Sequence, residues 1–312
     1  MKTLSLKEIK AALPSVDLMA EIEQGFVAYS QGRAVVPPIG ELIMHDPPGE
    51  VHIKYGYIAG DDYYVIKIAS GFFENPKLDL PSSNGLMLVF SQKTGTLEAV
   101  LLDEGHLTDI RTAVAGAITA KHLAPSSIER IGIVGTGVQA RLQLEYLAPV
   151  TDCRDVLVWG RNGDKLSAYE QDMSAKGFEV STTTDADDII ASCNLIVTTT
   201  AATSPLLSGQ VQPGTHITAM GSDTHDKQEL HADILQGADL VVADSISQCL
   251  ERGEIHQALN SNAIAETDLV ELGSIIAGDV AGRTSDDQIT VADLTGVAVQ
   301  DIQISKAVIG AE

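Results

Sequence analysis

A chain of 312 residues, 44% hydrophobic but only 4% aromatic, is long enough for two cores packed through Val, Ile, Leu and Ala, and its formal charge of −23 opposes nucleic acid or an anionic membrane surface as partner. No apolar run reaches the length of a membrane span, residues 1–20 lack a signal-peptide core, and Cys153, Cys193 and Cys249 show no metal-ligand spacing. The expectation is a soluble cytoplasmic protein with reduced thiols and no metal.

Up to about Pro125, residues 51–58, 63–69 and 85–90 are short runs rich in β-branched and aromatic side chains, bounded by Gly, Asp, Pro and Asn, and they predict a sheet. Residues 107–123 change period, with Ile110, Val114, Ala117, Ile118 and Lys121 spaced as a helix. From Ile128 onward strands and helices alternate. Strands are predicted at 131–134, 155–159, 195–199, 216–220 and 240–242, with helices at 139–147 and 165–176. Short, wholly apolar strands between helices predict a parallel sheet covered on both faces. The chain then closes in a helical segment, and the residues from about Asp293 can pack back on the first domain.

Between the first of these strands and its helix lies Gly135-Thr136-Gly137-Val138-Gln139-Ala140. Gly135 permits the tight turn, Gly137 lets a pyrophosphate approach the backbone, and Ala140 is small enough for close helix-to-strand packing. This is a dinucleotide-binding pattern. Roughly twenty residues on, where a carboxylate would accept from the ribose 2′-hydroxyl of NAD, the chain reads Trp159-Gly160-Arg161-Asn162. Arg161, with Asn162 beside it, suits a 2′-phosphate and favours NADP(H) over NAD(H); the alternative is an exposed arginine in a turn.

Five segments carry a wider likeness: YVIKIASGFFENP around Lys67, LTDIRTA around Arg111, GTGVQA, MGSDTHDKQEL around Asp223, and DLTGVAVQD from Asp293 to Asp301. In this order they span about two thirds of the chain, which resembles the ornithine cyclodeaminase and mu-crystallin family. The resemblance implies an α/β protein: a Rossmann doubly wound parallel sheet over 123–292, plus an α+β substrate-binding and dimerisation domain over 1–122 with 293–312. It also implies a homodimer, and hydride transfer between a nicotinamide and the α-carbon of a small α-imino or α-amino acid.

By the same resemblance Lys67 and Arg111 hold the substrate carboxylate. Arginine grips it through parallel N–H bonds, while lysine adds a compact charge able to exchange a proton. Asp223, after a parallel strand, is placed to stabilise a protonated imine and relay its proton; its alternative role is to cap a helix begun near Lys227. Thr199 and Thr200 would lie under the cofactor, or serve structure alone. Asp293, Leu294, Thr295 and Gly296 match the segment that returns to the nicotinamide, Gly296 allowing close approach and Asp293 offering a second acid.

One departure bears on substrate. The family's arginine shortly after an early proline is absent; Gly40 and Glu41 occupy that region, and Lys54 appears in the following strand. Two readings stand: Lys54 replaces the missing cation with Glu41 orienting it or touching a polar substrate group, or both are solvated on one sheet face. The expected activity is an NAD(P)H-dependent reductase of a small α-imino acid such as pyrroline-2-carboxylate. Ornithine cyclodeaminase, and a non-catalytic NADP-binding protein like mu-crystallin, are the alternatives.

Overall fold

The structure, a computed structural model, describes residues 1–72 and 74–311. By internal contacts it divides into Met1–Thr112 with Val297–Glu312, and Ala113–Gly296.

In the first unit the described residues form a seven-stranded sheet in the order Lys2–Ser5, Leu97–Leu102, Ser83–Ser91, Tyr63–Gly71, Pro48–Ile58 and Ala34–Val35, with Gly40–His45 also paired to Pro48–Ile58. The long hairpin of Pro48–Ile58 and Tyr63–Gly71 is antiparallel and sets Lys54 directly opposite Lys67. Cross-strand partners project to the same face, so that register brings two lysines together. Helix Leu18–Ser30, capped by the Asp17 carboxylate on the Ala20 amide, buries Ile22 and Phe26. The C-terminal helix Ala298–Gly310 packs against it and against both strands of the hairpin. That helix is buried on nearly every side, including Gln300, Asp301, Gln303 and Ser305. Buried polar side chains need partners, and these supply the chemistry described below.

In the second unit eight strands run parallel in the order Glu179–Thr183, Asp155–Trp159, Ile131–Val134, Leu195–Thr198, His216–Ala219, Thr290–Asp293, Leu240–Ala243 and Leu269–Glu271. The inner strands are wholly buried; Ile131–Val134 and most of Leu195–Thr198 are accordingly apolar runs, while His216 hydrogen-bonds with Thr218 and Thr290. Chain order reverses at Ile131–Val134. Its two neighbours, Asp155–Trp159 and Leu195–Thr198, diverge there, and such a switch point opens a crevice at the carboxyl ends of the strands.

Three expectations are corrected. The return of the chain begins at Val297 rather than about Asp293, because Thr290–Asp293 is a buried strand inside the parallel sheet. The first boundary falls at 112/113 rather than 122/123, within the helix His106–Leu123. No helix begins near Lys227: the next element is the strand Gln228–Leu230, paired with Thr203–Leu207, so Asp223 caps nothing there. Among the described residues no helix is long and apolar enough to cross a membrane.

Candidate functional site

In the first unit Lys54, Lys67 and Arg111 surround the buried carboxylate of Asp301. Asp301, from the C-terminal helix, accepts from Lys67 Nζ at 3.0 Å through Oδ1, with Oδ2 at 2.9 Å, and from Arg111 Nε at 3.1 Å. Arg111 Nη1 donates to Gln300 Oε1 at 2.9 Å. The arginine is aimed by its own helix, whose start is fixed where the Asp103 carboxylate accepts the Leu107 amide. Burial alone would raise the Asp301 carboxyl, but Lys67, Arg111 and Lys54 outweigh it and hold it below the usual range. Lys67, 2% exposed, is pulled down to about 7 by burial, by Arg111 and by Lys54, against the opposing pull of Asp301. Asp103 is also near, and burial raises its carboxyl toward the neutral form. Lys67 and Arg111 thus share the Asp301 carboxylate out of water, a setting that a further anion would favour.

Lys54 is itself only 8% exposed, which overturns the solvated reading for it. Glu41 pairs in register with His52, and its Oε1 lies 3.4 Å from His52 Nδ1. His52 Nε2 lies 3.6 Å from Glu50. By strand alternation Glu41, His52, Lys54 and Lys67 share one face of the sheet.

In the second unit the glycine turn stands at the switch point. Gly135 has φ +122°, a conformation that side chains rarely adopt, and a Cβ there would sit 2.6 Å from Thr199 Oγ1. Across the switch point the Thr199 amide and hydroxyl both donate to Val134 O, at 2.9 and 3.1 Å. The structure thus brings Gly135, Thr199 and Thr200 together. Gly137 is the N-cap of helix Val138–Leu147, has no side-chain cap, and would point a Cβ into open space. The uncapped amides and that open cradle fit a pyrophosphate. Ala140 is fully buried and its carbonyl accepts from Tyr169 Oη, whereas Val138 is 61% exposed. Gln139 Oε1 accepts from Gln143, and Thr136 O accepts from Arg141. Arg161 is exposed after the strand Asp155–Trp159, while the Asn162 carboxamide caps the next helix on the Lys165 amide.

Asp223 lies between the strands His216–Ala219 and Gln228–Leu230, and its Oδ1 accepts from Lys227 Nζ at 2.7 Å. Thr295 Oγ1 and the Gly296 amide both donate to Asp244, at 3.1 and 2.7 Å. Asp293 is buried and its Oδ2 accepts the Ile255 amide; burial and the nearby Glu254 and Asp244 push its carboxyl well up. Sequence reasoning missed Asp301, Gln300, His52 and Glu229. Asp301 closes the DLTGVAVQD segment, and its place in that segment was the available signal.

The family model of the ornithine cyclodeaminase/mu-crystallin family matches residues 2–310. The chain belongs to that family. An uncharacterized cyclodeaminase of Sinorhizobium fredii (strain NBRC 101917 / NGR234) is 42% identical over 310 residues, covering 98% of this chain and 94% of the relative. The structure of an archaeal alanine dehydrogenase dimer with bound NAD superposes with a TM-score of 0.91 at 30% identity, covering 100% of this chain and 95% of that one. That of Thermococcus litoralis Delta(1)-pyrroline-2-carboxylate reductase, in complex with NADH and L-proline, gives 0.93 at 27%, covering 100% and 97%. Members of the family are NAD(P)-dependent oxidoreductases or cyclodeaminases, and this member carries the Rossmann-like parallel sheet of its nucleotide-binding neighbours.

Proposed function

We propose that this family member is an NAD(P)H-dependent reductase of a small α-imino acid, with NADP(H) preferred and a homodimer as the working form. The observation that carries this reading is that two buried cations, Lys67 and Arg111, share the buried carboxylate of Asp301. A substrate carboxylate balances that charge. The bonds from Arg111 to Asp301 and Gln300 fix the guanidinium plane and leave its other N–H groups to the substrate. Lys67, poised near neutral pH, is the group that exchanges a proton with the substrate nitrogen, and Lys54 takes the place of the family's missing arginine.

The residues of the second unit fit a dinucleotide: the amides that begin helix Val138–Leu147 hold the pyrophosphate, Thr199 and Thr200 line the nicotinamide side, and Arg161 takes the 2′-phosphate. When bound in reduced form, the nicotinamide supplies a hydride to the substrate α-carbon. Asp223, paired with Lys227, stabilises the protonated imine, since a neutral imine nitrogen would have to take up negative charge.

The name of the Sinorhizobium relative supports cyclodeaminase as the second reading. One experiment separates the two. The protein is incubated with NADPH or NADH and a panel of cyclic and linear imino acids while reduced-nicotinamide absorbance is followed, then with ornithine and catalytic NAD while ammonia is measured. Cofactor oxidation that requires an imino acid supports the reductase. Ammonia and proline without net cofactor change replace it with the cyclodeaminase, and cofactor binding with neither outcome replaces both with a carrier protein.

A further inference from the structure

Glu229 is fully buried in the short strand Gln228–Leu230, and its carboxylate takes three donors from two separate chain segments. Oε1 accepts the Thr200 amide at 2.5 Å; Oε2 accepts the Thr198 hydroxyl at 2.6 Å and the Gly221 amide at 2.9 Å. Thr198 and Thr200 flank the end of the switch-point strand Leu195–Thr198, whereas Gly221 opens the segment that reaches Asp223 after His216–Ala219. These segments touch backbone to backbone. A Cβ on Gly221 would lie 2.1 Å from Thr200 O and 2.4 Å from Glu229 Oε2.

A second buried carboxylate holds the first in place. Glu254 accepts the backbone amides of Glu229 and Leu230, at 2.7 and 3.0 Å, and the hydroxyl of Ser222, the residue before Asp223. Glu229 is therefore anchored through its backbone and bridges two segments through its side chain.

We propose that Glu229 is a positioning residue that locks the Thr199–Thr200 segment to the Gly221–Asp223 segment, so that the nicotinamide-side contacts and the acid of the proposed reaction keep a fixed separation. The inference rests on the functional reading above. Only an ionised carboxylate offers acceptors to three donors and no donor of its own. In either orientation a glutamine of the same length sets its NH₂ against a backbone N–H, that of Thr200 or that of Gly221. Burial and the neighbouring Glu254 raise the Glu229 carboxyl to about 7, and its hydrogen bonds to Thr198 and Thr200 pull the other way.

The test compares wild type with Glu229→Gln and with Thr198→Val, which deletes one donor while keeping shape. Dissociation constants for NADPH and NADH are read from nicotinamide fluorescence, kcat and KM from imino-acid reduction, and folding from circular dichroism. For folded Glu229→Gln the expected result is a cofactor dissociation constant raised about tenfold and kcat lowered about tenfold or more, with the imino-acid KM changed less than about twofold. Thr198→Val shows the same pattern at smaller size and carries the test alone if Glu229→Gln does not fold. Wild-type cofactor affinity and kcat in either folded variant overturn the proposal, as does a fall in kcat that only tracks the folded fraction with cofactor affinity unchanged. A wild-type protein that binds cofactor but reduces no imino acid overturns the functional reading instead, and the fluorescence comparison still decides the role of Glu229. One that binds neither cofactor overturns both.

Discussion

At the residue scale the decisive relation is between Asp301 and Lys67, and it makes a signed prediction. Lys67 is pulled down to about 7 mainly by burial, with Arg111 and Lys54 adding to the shift, while Asp301 pulls the other way. Removing the anion in Asp301→Asn leaves only the lowering causes, so the lysine loses its proton at still lower pH. If reduction needs protonated Lys67, kcat/KM falls as pH rises through about 7 in wild type, and in the variant that alkaline limb moves down by about one unit or more. A pH profile of kcat/KM checks this, and an unmoved limb shows that activity does not read the protonation of Lys67. The lysine and the arginine were legible from their local motifs. Their shared counter-ion was not, because Asp301 lies 234 residues from Lys67 and nothing local pairs the two.

At the element scale, the glycine turn makes opposite predictions for its two glycines. Gly137 has an ordinary φ of −83° and open space where a Cβ would stand, so Gly137→Ala leaves the melting temperature unchanged and raises the cofactor dissociation constant about tenfold. Gly135→Ala puts a methyl group 2.6 Å from Thr199 Oγ1 at φ +122° and destabilises the fold by about 1–3 kcal/mol. Calorimetry with fluorescence titration separates the two; a destabilised Gly137→Ala with normal affinity would count against the turn as a cofactor cradle. At the end of the next strand, Arg161→Asp should lower the ratio of kcat/KM for NADPH over NADH by about tenfold, since a carboxylate repels the 2′-phosphate and suits the 2′-hydroxyl. An unchanged ratio removes Arg161 from cofactor choice.

The same scale shows why some strands were readable and others were not. Ile131–Val134 and Asp155–Trp159 have the predicted bounds because their buried residues, all of the first strand and 156–159 of the second, form continuous apolar runs. Glu179–Thr183 sits at the sheet edge with half-exposed Ser and Thr, and Leu269–Glu271 is three residues long, so neither carries enough apolar signal. Thr290–Asp293 ends in a buried acid whose amide partner comes from another helix, which no local pattern reveals. The dinucleotide turn was legible because all of its parts adjoin in sequence.

At the scale of the whole molecule, 43 acidic against 20 basic side chains leave a formal charge of −23, and all three cations of the proposed substrate cluster are buried. The negative surface repels itself in the folded state more than in the expanded chain, so added salt should stabilise the protein. Raising NaCl from about 0.01 M to about 1 M shortens the screening length from about 30 Å to about 3 Å, enough to silence repulsion between exposed carboxylates while leaving the contacts of 2.9–3.1 Å among Lys67, Arg111 and Asp301 intact. The expected outcome is a melting temperature that climbs by several degrees across that range, with kcat for imino-acid reduction nearly constant. Guanidine-free thermal scans at a series of NaCl concentrations measure the first and steady-state kinetics the second. A flat or falling melting temperature would mean that the acidic groups are already balanced locally, and a kcat that collapses with salt would mean that the cation cluster is open to screening, against its burial.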